Sequence, residues 1–231
     1  MKTQTHDTQN KMTRGDVTRE ALLRAAVEVF AREGFHAAGM RTLSQASGVN
    51  QALIGYHFGN KEGLYLAVFE HITTHMQEHI GPLAAEMNAA LDAAGEKMAS
   101  AKRHDLCLSH LTRLADAILS MMLSQETEQW AQLIVREHQS PTAAFTVLYD
   151  GFLGRTLGLL TRLVQGANRN LGEPDARLLV VGILGQVMVW RIARTGVMRH
   201  MGWSEMGARE LEIARQAVHR NVLALVSGQG A

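Results

Sequence analysis

The chain has 231 residues, of which 46% are hydrophobic, and it carries a formal net charge of +1 at pH 7. This apolar content excludes wholesale disorder, and a charge so close to zero excludes a histone-like polycation. Only 3 prolines occur, which favours long helices because a helix interior tolerates proline badly. The single cysteine, Cys107, excludes an intrachain disulfide framework and a multi-cysteine zinc site, and it suits a reducing compartment.

No membrane or secretion signal stands out. Residues 1–16 read MKTQTHDTQNKMTRGD and contain no apolar core, so no secretory signal is expected there. The longest uncharged apolar run, Leu178 to Trp190, has thirteen residues. As a helix it spans about 20 Å, short of the roughly 30 Å hydrocarbon core of a bilayer. We therefore expect a soluble cytoplasmic protein that has no membrane partner.

Start and stop signals divide the first part of the chain into helices. Thr18 is a candidate N-cap for the first helix and Gly34 a candidate C-cap. Asn50 is a candidate N-cap for the third, and Gly81-Pro82 is predicted to end the fourth. The helices are predicted over residues 18–33, 40–47, 51–58 and 61–80.

The pattern stays helical beyond Pro82. No segment alternates apolar and polar residues between turn signals, so strands are not expected and the fold class is all-α. The break at Pro82 predicts a boundary between a small N-terminal domain and a larger helical one. The further helices are predicted at about 83–101, 105–124, 126–139, 142–169, 174–196 and 204–227.

The segment 41–58 has the physics of a helix-turn-helix. Leu43 and Ala46 face inward from the first short helix, Gly48 allows the tight turn, and Val49 fills the corner. Ile54 and Phe58, four residues apart, anchor the second helix from beneath.

The outward face of the second helix suits the major groove. Gln51 can read an adenine edge with two hydrogen bonds, and small residues let a helix sit deep in the groove. No Asp or Glu occurs from Gly34 to Lys61, which suits a surface that faces phosphates. The pattern alone also fits a simple helical corner without DNA. The candidate DNA contacts are Arg41, Asn50, Gln51, Ala52, Gly55, Tyr56, His57 and Lys61.

About fifty residues from Thr18 to Leu66 resemble the DNA-binding domain of TetR-family transcriptional regulators. The resemblance implies an N-terminal three-helix helix-turn-helix domain and a helical C-terminal domain that binds small ligands and dimerises. The implied division is a flexible tail over 1–15, a DNA-binding domain with linking helix over 16–81, and an effector-binding and dimerisation domain over 82–231. The matching pieces are Thr18-Arg-Glu-Ala-Leu-Leu-Arg-Ala-Ala, Phe30-Ala-Arg-Glu-Gly-Phe35, Ala46-Ser-Gly-Val49, Tyr56-His-Phe58 and Asn60-Lys-Glu-Gly-Leu64.

Two positions depart from the family pattern. The family often has a threonine that caps the first short helix and donates to a phosphate, and this position is Gly39 here. It often has a tyrosine just before Tyr56, and this position is Gly55 here. The resemblance therefore leaves one phosphate contact and one aromatic contact in doubt, and the operator sequence with them.

The last two predicted helices suit a dimer interface. Leu178 to Trp190 is apolar nearly all round, which a monomer's surface helix would not be, and its glycines permit close helix approach. The last helix carries apolar residues at heptad-like spacing. Together they predict a four-helix interface about a two-fold axis, with an intrachain core as the alternative. The interface candidates are Leu178, Gly182, Gly185, Leu211, Ala214, Val218, Val222 and Leu225.

The C-terminal part resembles the CecR-type subgroup of the family. The resemblance rests on Arg136-Glu-His-Gln-Ser-Pro141, on Phe145 and on Tyr149-Asp-Gly-Phe152, and it implies a hydrophobic small-molecule effector. Methionine adapts to varied ligands, and tryptophan and tyrosine offer large faces with one polar atom, although each of these residues also fits plain core packing. The candidate ligand contacts are Met121, Met122, Trp130, Phe145, Tyr149, Met188 and Trp190.

A histidine ladder raises a second class of function. His71, His75 and His79 are four residues apart on one helix, and two such imidazoles can hold a metal. The alternative is a titratable helix surface, and we predict neither a bound metal nor a cofactor. A rival function is thus a metal- or drug-sequestering helical binder without an operator. Nothing near Cys107 provides an oriented base or an oxyanion hole, so an enzyme is not expected.

The sequence therefore predicts a homodimeric repressor that a hydrophobic small molecule releases from a palindromic operator. Two recognition helices would enter successive major grooves roughly 34–36 Å apart.

Overall fold

The fold was taken from a computed structural model, which describes residues 13–95 and 98–228. Within these ranges the regular secondary structure is entirely helical, which confirms the all-α prediction. The helices are α1 (Arg14–Ala37), α2 (Met40–Ser47), α3 (Gln51–Phe58), α4 (Lys61–Ala94), α5 (Ser100–Leu123), α6 (Glu128–Gln139), α7 (Ala143–Leu148), α8 (Gly154–Ala167), α9 (Glu173–Ile192), α10 (Arg194–Met201) and α11 (Ala208–Ser227), with a π-helical segment (Tyr149–Leu153) between α7 and α8.

Contacts divide the chain into two compact units, one up to Val68 and one from Phe69 onward. The N-terminal unit has a core of fully buried side chains from its first four helices, among them Leu22, Phe30, Leu43, Ile54 and Leu64. The boundary between the units lies inside α4, whereas the functional division at 81/82 stays a prediction.

Helix α1 begins earlier than its sequence signals indicate. Thr13 is the N-cap: its hydroxyl accepts from the N–H of Asp16, and the Asp16 carboxylate accepts from the N–H of Thr13. The predicted start at Thr18 is therefore wrong. Of the predicted tail over 1–15, residues 13–15 form the N-cap and start of α1, and residues 1–12 lie outside the described residues. Gly34 adopts the expected left-handed φ of 80°, but helical structure resumes and continues to Ala37.

Helices α2 and α3 have the predicted bounds. On α2, Leu43 is buried as predicted, but the predicted inward position of Ala46 is wrong because this residue is exposed. Gly48 ends α2 with a left-handed φ of 66°, a conformation that costs other residues more. The side chain of Asn50 caps α3 by accepting from the N–H of Ala52 at 2.9 Å. Local signals decide these bounds, because turn and caps lie within a few residues of each other.

Helix α4 does not end at Gly81-Pro82, and the predicted stop is wrong. Pro82 lies inside the helix and offers no N–H to the carbonyl of Glu78. Such a proline costs about 3 kcal/mol in a helix interior. The buried side chains of Ile80, Met87 and Leu91 lie on both sides of the proline, so burial along the whole helix offsets this cost.

The predicted helix over 142–169 contains a π-helical interruption. At Gly151, an added Cβ would lie 3.3 Å from the side chain of Thr73 on α4, so the glycine permits the close approach of the π-helical segment to α4. The Gly151 carbonyl accepts a hydrogen bond from the side-chain amide of Gln77. A π turn frees such a carbonyl from the regular helical ladder, which side-chain periodicity does not reveal.

Helix α5 is the central helix of the larger unit and packs against α8, α9 and α11. Within the described residues, it alone is long and apolar enough by itself to cross a membrane, and α9 with α10 meet that criterion only as a bent pair. The apolar content of α5 is accounted for by its buried residues, which include Cys107, Leu111, Leu114 and Leu119.

The predicted helix over 174–196 is two helices in the structure. Helix α9 ends at Ile192, the chain bends by 83° at Ala193, and α10 follows. Helix α11 begins at Ala208, four residues after the predicted start.

Candidate DNA-binding surface and effector cavities

Two serines fix the turn between α2 and α3. The Ser44 hydroxyl donates to the Val49 carbonyl at 2.6 Å, and the Ser47 hydroxyl donates to the Leu43 carbonyl at 2.8 Å. The Ser47 oxygen also accepts from the N–H of Val49 at 3.3 Å. Neither serine was among the residues predicted to form the turn, although serine near a helix C-terminus before glycine is a usable turn signal.

Helix α3 has one buried face and one exposed face, as predicted. Ile54 is fully buried beneath the helix, whereas the side chain of Tyr56 is 81% exposed. Leu53 is also exposed and was not among the predicted contacts. The structure thus brings Gln51, Ala52, Gly55 and Tyr56 to the free surface of one short helix, beside the capping Asn50.

The three predicted phosphate contacts differ in their surroundings. Arg41 is exposed in the first turn of α2, and His57 is half-buried at the end of α3. The Lys61 amine donates to the His36 carbonyl at 3.1 Å and lies 4.9 Å from the ring centroid of Phe35. Lys61 therefore has a structural role within the unit, and any phosphate would share an amine that is already bound.

The two departures from the family pattern leave open space. At Gly39, the N-cap of α2, no side chain caps the helix, and an added Cβ would lie 3.5 Å from the Thr42 hydroxyl. At Gly55 an added Cβ would meet nothing within 4 Å. Both positions would therefore accept a side chain without a clash within the chain, so packing does not require either glycine.

The larger unit contains a mainly apolar cavity of about 570 Å³, here called the α4 cavity. Its walls come from α4, α5, the π-helical segment and α8. The apolar side chains are Ile80, Pro82, Leu114, Phe152 and Leu159, and the polar ones are Thr74, Gln77, Glu78, Asn88, Arg155 and Thr156.

Ion pairs hold the helices around this cavity. Arg113 on α5 donates to both carboxylate oxygens of Glu86 on α4 at 2.9 and 3.1 Å, which lowers the pKa of Glu86. Arg162 on α8 donates to Asn88 and to Asp92 on α4 at 2.5 and 2.6 Å. Helix α4 is thereby tied to both neighbouring helices along the stretch that lines the cavity.

None of the predicted ligand contacts lines the α4 cavity. Met121 and Trp130 line a second cavity of about 270 Å³, here called the tryptophan cavity, together with His75 and His79. Met122 and Met188 border a void of only about 10 Å³, which is too small for a ligand.

The other three predicted contacts are engaged with each other or with their neighbours. Phe145 stacks on Tyr149 with ring centroids 6.0 Å apart and packs edge-on against His138. Trp190 stacks on Trp203 with centroids 6.1 Å apart. These contacts fit the packing alternative for the half-buried Phe145 and Trp190, whereas Tyr149 is 44% exposed and is not a core residue.

The histidine ladder forms an aromatic cluster with Trp130. The rings of His71 and His75 lie 4.2 Å apart, and Trp130 lies edge-on to His75 at 5.5 Å. The Nδ1 atoms of His75 and His79 face carbonyl oxygens four residues back, at 3.1 and 2.8 Å. Across residues 13–95 and 98–228, no group of three or more His, Cys, Asp or Glu side chains is placed to hold a metal.

The predicted interface residues divide between exposed and buried positions. On α9, Gly182 and Gly185 are exposed, and Leu178 is 69% exposed. Val181, Val189 and Ile192 extend the same exposed apolar stripe and were missed.

On α11, Ala214, Val218 and Val222 are at most 1% exposed in a single protomer. Helix α11 packs these residues against α5 and α9. A side chain that is already covered gains no burial from a second copy, so the assignment of these three to the interface is wrong. Leu211 and Leu225 are half-buried.

Comparison with protein families identifies both units. The C-terminal domain of the HTH-type transcriptional dual regulator CecR matches residues 108–229, more than half of the chain. The description "bacterial regulatory proteins, tetR family" matches residues 22–68. The chain belongs to the TetR family. TetR-family proteins are DNA-binding transcription regulators, not enzymes; they dimerise, and ligand binding by the C-terminal domain is typical of them.

Individual TetR-family relatives agree with this assignment. The chain is 26% identical over 220 residues to the dual regulator CecR of Shigella flexneri, which covers 93% of this chain and 94% of that protein. It is 35% identical over 96 residues to the transcriptional repressor NicS of Pseudomonas putida, or 42% of each chain. The structure of FadR from Bacillus subtilis, in complex with stearoyl-CoA, has the same fold, with a TM-score of 0.56 at 20% identity over 90% of this chain and 98% of that one.

Proposed function

We propose that this TetR-family protein is a cytoplasmic homodimeric repressor that leaves a palindromic operator when a hydrophobic small molecule binds its C-terminal domain. The observation that carries the proposal is the exposed face of α3, which presents polar and small residues around Tyr56 on a helix anchored by Ile54. No membrane partner is part of the proposal.

In the proposed complex, α3 lies in the major groove and Gln51 reads a base edge. Arg41, His57 and Lys61 contact phosphates, which position the helix without reading sequence. Gly55 leaves the centre of the exposed face flat, so the backbone of α3 can approach the bases closely.

Binding to the protein's own upstream DNA tests this surface. Each base contact is worth about 1–3 kcal/mol, so Gln51→Ala and Tyr56→Ala should weaken operator binding by roughly 5- to 150-fold at fixed salt. Gln125→Ala removes an exposed glutamine from the larger unit and serves as the control. Operator affinities equal to that of the control would refute the assignment of the reading face.

A phosphate contact has a different signature. Arg41→Gln should weaken binding to operator and unrelated DNA alike. It should also reduce the slope of log affinity against log salt by about 2, because the dimer loses one phosphate contact in each protomer. An unchanged salt slope would remove Arg41 from the proposed contacts.

The dimer is proposed to form through the exposed stripe of α9. The side chains of Leu178 and Val181 are 69% and 65% exposed, and the stripe continues through Gly182 and Gly185 to Ile192. Since α11 buries its apolar residues inside its own protomer, α9 supplies most of the proposed contact and the exposed Leu223 of α11 adds to it.

Sedimentation of two charge variants tests the dimer. Val181→Arg places a charge in the centre of the stripe and should yield monomers, whereas Ala93→Arg at the exposed end of α4 should remain dimeric. The monomeric variant should also lose operator affinity, because two linked recognition helices bind far more tightly than one. A dimeric Val181→Arg protein would refute the stripe as the interface.

The effector is proposed to occupy the α4 cavity. Its volume of about 570 Å³ lies in the range of ligand pockets, roughly 300–1,000 Å³, and apolar side chains form most of its wall. The FadR relative was solved with stearoyl-CoA, an amphiphile with an apolar chain, which supports this class of effector. Helix α4 lines the cavity and begins at Lys61 in the DNA-binding unit, so it is the proposed route of coupling.

Cavity-filling variants test the site with N-phenylnaphthylamine, a neutral fluorophore that brightens in apolar surroundings. Ala84→Trp fills the α4 cavity and should abolish the fluorescence increase of the bound dye. Ala117→Trp fills the tryptophan cavity and should leave the fluorescence increase unchanged. The opposite pattern would transfer the effector site to the tryptophan cavity.

Two alternatives are decided by the same experiments. A sequestering binder without an operator would show no retarded band with its own upstream DNA, in the presence or absence of Zn²⁺. An activator would raise, rather than lower, expression of a reporter placed behind that DNA.

A further inference from the structure

A cleft of about 820 Å³ lies where α6 meets the end of α9 and the start of α10. It shares no lining residue with the α4 cavity or the tryptophan cavity. Three of its lining residues are arginines and one is acidic, so it is here called the arginine cleft. Its polar side chains are those of Arg136, Arg191, Arg194, Glu128, Gln132, Gln139 and Thr195.

Arg191 is fixed in place by the end of α5. Its Nε and one Nη donate to the carbonyls of Met122 and Ser124 at 2.5 and 2.6 Å, and its side chain is only 8% exposed. A guanidinium held in this way presents its remaining Nη to the cleft at a fixed position, so little side-chain entropy is lost when a ligand binds.

A single carboxylate faces two guanidiniums in the cleft. One oxygen of Glu128 lies 3.8 Å from Arg191 and 3.9 Å from Arg194. Both distances exceed a normal hydrogen bond, so Glu128 attracts the two cations without pairing directly with either. The pKa of Arg191 is lowered mainly by burial and further by Arg194, while Glu128 raises it. The wall therefore favours additional negative charge.

The bend at Ala193 adds backbone donors to the same wall. The chain turns by 83° there, and the first three residues of α10, starting at Arg194, line the cleft. No side chain caps α10. Its first N–H groups carry partial positive charge and complement the arginines.

We propose that the arginine cleft binds a phosphate-bearing small molecule. Arginine forks match phosphate oxygens with paired hydrogen bonds, and the anion would displace the Glu128 carboxylate from between Arg191 and Arg194. Ala131 and Val135 form an apolar wall beside the charges, which suits the organic part of a nucleotide-sized ligand.

Calorimetric titration of the intact protein with pyrophosphate tests the proposal, against KCl at equal ionic strength. Arg194→Gln should weaken binding at least about tenfold, since hydrogen bonds to charged groups are strong. Glu128→Gln removes the internal competitor and should tighten binding several-fold. Arg199→Gln, an exposed α10 arginine outside the cleft, should bind like the natural protein.

The variants also distinguish specific binding of pyrophosphate in the arginine cleft from non-specific attraction to positive charge on the surface. No pyrophosphate binding by the natural protein, or an equal loss in Arg194→Gln and Arg199→Gln, would overturn the proposal, as would weaker binding by Glu128→Gln. Arg191 is left unchanged because it holds the end of α5, and unfolding curves of each variant check that the fold is retained. The measurement contains no DNA, so its result is independent of the operator.

Discussion

The contact between α5 and α8 at Gly166 gives a prediction whose magnitude follows from the structure. A Cβ added at Gly166 would lie 2.5 Å from the sulfur of Cys107, about 1 Å closer than the roughly 3.5 Å of an ordinary contact. Cys107 is fully buried, so its sulfur has no solvent to move into. Overpacking of this kind costs about 1–3 kcal/mol. Alanine at a helical glycine regains about 0.5–1 kcal/mol, so Gly166→Ala should destabilise the fold by up to roughly 2 kcal/mol.

A second substitution shows whether this contact is the cause. In the double variant Gly166→Ala with Cys107→Ala, the nearest remaining atom of residue 107 is its Cβ, 3.7 Å from the new methyl, which is ordinary van der Waals contact. Cys107→Ala alone leaves a small void and should cost on the order of 1 kcal/mol. The double variant should therefore be more stable than the sum of the single effects by about 1–3 kcal/mol.

Urea unfolding at one fixed protomer concentration measures this coupling, because dimer stability depends on concentration. Gly158→Ala on the same helix is the control: an added Cβ there meets nothing within 4 Å, and the change should stabilise the protein by about 0.5–1 kcal/mol. Single effects that add within about 0.5 kcal/mol would refute the steric explanation.

Three further predictions concern a clash, an open site and a buried imidazole. At Gly63 an added Cβ would lie 2.1 Å from the backbone oxygen of Phe58 at the end of α3. Gly63→Ala should therefore disrupt this part of the fold and abolish operator binding, and circular dichroism should show a loss of helix. At Gly55 there is free space, so Gly55→Ala should raise stability by about 0.5–1 kcal/mol yet weaken operator binding; tighter binding would show that α3 does not approach the DNA closely there. Burial lowers the pKa of His110, Arg113 lowers it further, and Glu86 opposes this effect. Within residues 13–95 and 98–228, the ring nitrogens of His110 have no hydrogen-bond partner. The unfolded chain therefore takes up this proton first, and the stability due to neutral His110 is complete above about pH 6.5 and lost as the pH falls. His110→Leu should flatten the decline in Tm between pH 7 and 5, and parallel declines would contradict this origin.

Local signals predicted the helix-turn-helix to the residue. Gly48 and Asn50 determine where α2 ends and α3 begins, and both signals act within a few residues. The same reasoning failed at Pro82, because burial of Ile80 and Met87 within the larger unit outweighs the local cost of proline. The free energy gained from this tertiary burial cannot be estimated from the residues next to the proline alone.

The three buried α11 positions and the α4 cavity were not anticipated, for related reasons. Heptad spacing shows that Ala214, Val218 and Val222 share a face of α11, but it does not show that α5 and α9 of the same protomer cover that face. The predicted ligand contacts were all methionines and aromatic residues. The lining of the α4 cavity contains no methionine and one aromatic side chain, Phe152, so residue type alone did not indicate this cavity.

If α9 forms the proposed dimer interface, its exposed stripe links the amount of this protein to its effect on transcription. A palindromic site requires two recognition helices, so below the concentration at which two stripes pair, operator occupancy rises with the square of the protomer concentration. Halving the cellular level of the protein would then reduce occupancy about fourfold, by the mass-action law for a dimer. In the proposed dimer, the exposed apolar side chains from Leu178 to Ile192 would thereby set a threshold in copy number as well as an oligomeric state.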